Sequence, residues 1–116
     1  MTNLGAIDEA LAGLTDLRAR WQGVAVSGGR AYNPGWNLVF ELRNMLTVSE
    51  AITRSARQRT ESRGAHSRLD YPDTDDATWG GRNSVVRRGA RQAMEVKTSA
   101  LPKLPGELQS LLGAAH

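Results

Sequence analysis

Ser62, His66 and Asp70 stand four residues apart, and a serine, an imidazole and a carboxylate are the parts of a nucleophilic triad. That chemistry needs all three groups on one face, beside donors that stabilise an oxyanion. Gly64 falls between them and predicts a helix break, so the spacing does not align them, and the triad is set aside. His66 with Asp70, Asp73, Asp75 and Asp76 offers an imidazole and oxygen ligands for a metal. The Ca²⁺-loop pattern fails at Ala77, however, and the second histidine is the terminal His116. An acidic turn neutralised by neighbouring arginines is the favoured reading.

Ser27-Gly28-Gly29-Arg30 lacks both the Lys-Ser/Thr of a phosphate loop and the spaced glycines of a dinucleotide fingerprint, so it reads as a turn. The arginines from Arg54 to Arg68 are a candidate for nucleic acid, because clustered guanidiniums bind phosphates. Glu50, Glu61, Asp70 and Asp73 interleave with them and no aromatic ladder accompanies them, which favours a solvated or domain-docking face. No catalytic, metal-ligating or cofactor-binding residue is therefore assigned.

The elements that must position these groups are mainly helical. Leu4, Ile7, Leu11, Leu14, Leu17 and Trp21 recur at spacings of three and four and predict a helix over about 3–22, with Asn3 as its N-cap and Asp8 and Glu9 favouring its start. Glycines and Pro34 mark residues 23–35 as a loop. Leu38, Leu42, Met45, Leu46, Ser49, Ile52 and Ala56 then predict a second long helix over about 34–63, opened by Pro34 and closed at Gly64. Trp36, Val39, Phe40 and Val48 widen its apolar face beyond what a helix pair can cover. Glu50 precedes Arg54 by four residues, the favourable order for a helical ion pair.

Residues 64–82 read as an ordered loop anchored by Leu69, Tyr71 and Trp79. Alternation then predicts a hairpin with strands at about 83–88 and 92–98. A proline-rich tail follows and ends in a short apolar turn or helix over Glu107 to Leu112. The expected fold is thus an antiparallel helical bundle (1–63), a loop (64–82), and a hairpin with extended tail (83–116), together a single domain.

The chain has 116 residues, a net charge of +3 and no cysteine, which excludes disulfide frameworks, thiolate catalysis and cysteine-ligated metals. No apolar run reaches the roughly 20 residues of a membrane span, and the N-terminus lacks a signal-peptide pattern, so a cytoplasmic location is expected.

The wording of the sequence adds a resemblance. Asn33-Pro-Gly-Trp-Asn, Leu42-Arg-Asn-Met-Leu, Ser49-Glu-Ala and above all Thr60-Glu-Ser-Arg-Gly-Ala-His-Ser-Arg-Leu-Asp-Tyr-Pro, with Asp75-Asp76 and Trp79 beyond, resemble the C-terminal domain of the succinate dehydrogenase and fumarate reductase flavoprotein family. The resemblance runs on through the basic hairpin and the Leu-Pro-x-Leu-Pro tail. It implies a parent that interconverts succinate and fumarate by hydride exchange with FAD, located at the cytoplasmic face of the inner membrane through partner subunits.

In such a parent the flavin and the substrate groups lie in FAD and capping domains, whose motifs are absent here. The expected chain is thus a C-terminal fragment of a larger flavoprotein, inactive alone and without FAD of its own. Its first bundle helix is expected to be missing, which agrees with the uncovered apolar face. Glu61, Arg63, His66, Arg68 and Asp70 are carried over as the family signature at the domain junction. The expected partners are the FAD and capping domains and the iron-sulfur subunit, with self-association through Trp36–Val48 as a further possibility. The alternatives are the C-terminal domain of L-aspartate oxidase or a related flavoprotein, and a small basic nucleic-acid-binding module.

Overall fold

A computed structural model describes residues 2–113, with only the backbone for 111–113. His116, weighed above as a second imidazole, lies outside the described residues. Two long helices form the body: α1 (Leu4–Gln22) and α2 (Pro34–Gln58). A short helix, α3 (Asp76–Trp79), leads into an antiparallel hairpin of β1 (Arg82–Arg88) and β2 (Met94–Ala100), and α4 (Gly106–Gly113) ends the tail. This is the expected helical bundle followed by a small hairpin.

Helix α1 begins where expected because Asn3 Oδ1 accepts from the Ala6 N–H at 2.9 Å, satisfying one of the free donors of the first turn. Helix α2 is opened by Asn33, whose side chain accepts from Gly35 N and donates to the carbonyls of Ser27 and Gly29. One residue thus caps the helix and closes the preceding loop. The helices run antiparallel: Asp8 meets Arg57 at 2.6 Å, Arg18 meets Glu50 at 2.9 Å, and the Trp21 indole donates to the Val39 carbonyl at 3.0 Å. Asp8 therefore acts across the helix pair and not at the start of α1, whose first turn carries no acid. Glu50 also makes the expected ion pair with Arg54.

Among the described residues the buried apolar side chains are Ile7, Leu46 and Trp79. Each contributes roughly 1.5–3 kcal/mol by leaving water, so the apolar core is small. Its complement lies outside: Leu38, Met45 and Ile52 of α2 are 65%, 64% and 65% exposed. The radius of gyration is 19.6 Å, against about 13 Å for a compact domain of this length. The chain is an elongated unit with an open apolar helix face.

Three expectations on boundaries need correction. Helix α2 stops at Gln58, five residues before Arg63, because Arg59 turns extended and Arg68 takes up the terminal carbonyls. The strands pair from Arg82↔Ala100 to Arg88↔Met94, so the second starts two residues later than expected. The tip is longer because Ala90–Gln92 form a 3-10 turn with Arg91 and Gln92 at φ 56 and 63. Helix α3 falls inside the stretch expected to be loop. It is short and is started by Asp75, whose side chain accepts from Thr78 N at 2.9 Å.

Candidate functional site: an ionic knot at the end of the helix pair

The segment after α2 folds back over the ends of both helices. Gly64 adopts φ +58, a left-handed conformation that costs a glycine little, and lets Arg63 and His66 pair through their backbones. The glycine expected to stop the helix instead turns the loop. Thr2 exchanges backbone hydrogen bonds with Ser67 and Leu69, which ties the loop to the start of α1.

Glu61 is fully buried. A buried carboxylate must have its lone pairs filled, and here three partners do so. Arg63 donates through Nε and Nη2, both at 3.1 Å; Arg59 lies at 2.7 Å; and the Asp75 N–H donates at 2.9 Å. The Arg63 hydrogen bonds are the main cause that lowers the Glu61 pKa to about 2, helped by Asp75 N–H and Arg59 and opposed by burial. Arg63 continues to Asp76 at 2.6 Å. Arg59 lies 5.2 Å over the Trp79 ring and donates to its carbonyl.

Arg68 is the second buried charge. Its Nη1 donates to the carbonyls of Ala56, Arg57 and Arg59 at 3.3, 3.1 and 2.9 Å, closing the end of α2 where helix carbonyls lack partners. Its other edge grips Asp70, and its plane stacks on Tyr71 at 4.7 Å. Asp70 in turn accepts from Leu4 N at 3.2 Å, at the start of α1. Cation and carboxylate each sit at the helix end whose dipole favours them. The hydrogen bond from Arg68 is accordingly the chief cause lowering the Asp70 pKa.

The Ser, His and Asp considered first do three separate jobs. The Ser62 hydroxyl accepts from Arg68 N and donates to the Tyr71 carbonyl at 2.7 Å. His66 Nε2 lies 3.4 Å from the Arg59 carbonyl, and Asp70 serves Arg68. No group of metal-ligating side chains converges among the described residues. Of the signature residues, Glu61 and Arg68 point inward, whereas Arg63, His66 and Asp70 keep part of their surface in solvent.

The arginine run is also largely spoken for. Arg54 pairs with Glu50, Arg57 with Asp8, Arg59 and Arg63 with Glu61, and Arg68 with Asp70. Little free charge remains there for a phosphate backbone. Of the expected loop anchors, Trp79 is buried and Tyr71 lies under Arg68, while Leu69 is 58% exposed. Arg59, Asp75 and Asp76 belong to this knot although their spacing in the sequence does not mark them. An aspartate at a turn three residues before Thr78 was the available cue for Asp75.

Comparison with known proteins gives the same frame. The family model described as fumarate reductase flavoprotein C-term matches residues 3–107. The fumarate reductase flavoprotein subunit of Helicobacter pylori is 38% identical over 89 residues, covering 76% of this chain and 12% of that protein. An L-aspartate oxidase of Streptomyces coelicolor is 36% identical over 77 residues, covering 66% of this chain and 13% of that protein. The solved structure of Mycobacterium smegmatis Sdh1 in complex with UQ1 superposes with a TM-score of 0.82 at 38% identity, over 95% of this chain and 19% of that one. The chain therefore spans between about an eighth and a fifth of the length of these relatives. With a sequence match over nearly its whole length, two long helices and a hairpin in the same arrangement, the chain belongs to the fumarate reductase flavoprotein C-terminal family.

Proposed function

We propose that this chain is a docking and scaffolding domain of a larger flavoprotein that interconverts succinate and fumarate, with FAD and substrate held by other domains. The observation that carries this reading is the division of labour around α2. The loop at its end is closed by buried ion pairs, while most of the large apolar side chains along it, Leu46 apart, are left in water. Single exposed apolar residues are ordinary; a row of them on one helix marks a surface that another polypeptide covers. Glu61, Arg68 and Asp70 fix the shape of the loop from within, and the partly exposed Arg63 and His66 present it to the FAD domain. The FAD and capping domains are the partners in this reading, with the iron-sulfur subunit next to them, and a membrane association of the whole assembly rests with other subunits. No helix among the described residues is long and apolar enough to cross a membrane.

The test is spectroscopic and hydrodynamic. The purified 116-residue chain is expected to carry no flavin absorbance and to turn over no succinate, yet to sediment with the FAD-bearing remainder of a family flavoprotein. Flavin copurifying with the chain alone would overturn the assignment. The likeness to an L-aspartate oxidase supports a second reading of the parent. Assaying the full-length protein with succinate and with L-aspartate separates the two.

A further inference from the structure

The side of α2 opposite its open apolar face borders a cleft of about 530 Å³ between the helix pair and the hairpin. At about 100° per residue, Thr47, Glu50 and Arg54 lie on one side of α2, and Leu38, Leu42, Met45, Val48 and Ile52 on the other. The cleft is lined by Arg18, Glu50, Arg54, Arg87, Arg88 and, from the hairpin, an apolar wall that includes Val86 and Met94. Arg18 and Arg54 share the single carboxylate of Glu50, at 2.9 and 2.7 Å. Arg87 pairs with Glu95, which also faces Lys97. Arg88 makes no ion pair among the described residues. The cleft thus carries surplus positive charge, unlike the run from Arg54 to Arg68 taken as a whole.

The hairpin tip is held against this cleft by an unusual backbone. Arg91 and Gln92 are both left-handed, a conformation that costs side-chain-bearing residues energy and that structures retain where it places something. A Cβ at Gly89 would stand 2.3 Å from the Glu95 side chain, so the tip folds directly onto the strand carrying that carboxylate. Gln92 and Met94, brought round by the turn, complete the wall.

We propose that this cleft is a second docking site, and that its occupant is an acidic polypeptide segment carrying an apolar side chain. Guanidiniums at the rim match carboxylates in geometry as well as charge, and the Val86–Met94 wall receives the apolar side chain. A small phosphate ligand would leave that wall unused, and the cleft offers no aromatic ring on which a nucleobase would stack. The site goes beyond the docking face of the proposed function and does not depend on FAD or on the parent's reaction.

The test uses the purified chain with a blocked heptapeptide of alternating glutamate and leucine, its glutamine counterpart, and inorganic pyrophosphate, followed by NMR of the Met94 methyl and the arginine Nε–H signals. The acidic peptide is expected to shift Met94 together with Arg18, Arg54 and Arg88 at low salt, and to bind more weakly as salt screens the charges. The Arg88→Glu exchange, at an exposed position, should weaken it by about fivefold, in line with a partly exposed ion pair. The glutamine peptide should leave all four signals in place. No shift with the acidic peptide would overturn the proposal. So would a pyrophosphate response of equal size with Met94 unmoved, which would mark a simple anion site. The apolar α2 face is read separately at Met45, so failure of the cleft and failure of the proposed function remain distinguishable.

Discussion

The loop from Arg59 to Asp76 and the exposed face of α2 solve opposite problems. The loop buries a carboxylate and a guanidinium, which is costly unless every polar atom is paired, and it pairs Glu61 with Arg59, Arg63 and the Asp75 N–H, and Arg68 with Asp70 and the carbonyls at the end of α2. The face of α2 leaves apolar side chains in water, which wastes the main driving force of folding. Polar groups that look fit for the surface are inside, and apolar groups that look fit for the core are outside. The loop closes its charges within this chain, whereas the helix face stays open, as the proposed docking role requires.

That contrast predicts a ranking of substitutions. Glu61→Ala should be the most damaging, since it leaves Arg59, Arg63 and the Asp75 N–H facing an empty site. A loss of about 2–3 kcal/mol is expected in urea unfolding, less than the roughly 3–5 kcal/mol of a fully buried pair because both arginines are partly solvated. Arg68→Met should follow at about 2 kcal/mol, through unsatisfied carbonyls at the end of α2 and an Asp70 left without its cation. An unfolding midpoint equal to that of the unmodified chain in both variants would break the comparison.

Acid should act through the same loop. Glu61 has a folded pKa of about 2 against an ordinary 4.5, so its contribution is fully present above about pH 5. It declines as pH falls from 4.5 toward 2, when protons bind the unfolded carboxylate more readily than the folded one. Asp70 and Asp75, both also lowered, add with the same sign. Melting temperature should therefore stay level between pH 7 and 5 and fall below that range, and Glu61→Ala should flatten the fall. The smallest effect on stability is expected on the other side of the comparison. Leu38→Ser or Met45→Ser should change the stability of the isolated chain by no more than about 0.5 kcal/mol, while weakening capture by the FAD-bearing remainder.

Much of this was legible in local pattern. The stripe from Leu4 to Trp21, Pro34 at the head of the second long helix, and the alternation of the hairpin strands each report an element through its own neighbours, and all three elements are present. The excess apolar girth of α2 was legible too, because side chains that one partner helix cannot cover are visible on a helical wheel. What escaped depends on distant charges. The end of α2 was placed at Gly64, but the carbonyls of its last turn are capped by Arg68, from the far side of that turn. Glu61 sits among arginines and reads as part of a solvated face, yet the chain folds so that all its neighbours close over it. The hairpin tip was misplaced because Arg91 and Gln92 take conformations that glycine or asparagine usually marks.

The most direct test of this contrast is oxidative footprinting of Met45 and Leu38, both exposed on the open face of α2, with and without the FAD-bearing remainder of a family flavoprotein. Both residues are expected to react readily in the chain alone and to become protected in the complex, while Trp79 in the ionic knot is shielded throughout. A complex in which Met45 stays as reactive as before would contradict it, as would protection of Met45 in the isolated monomer.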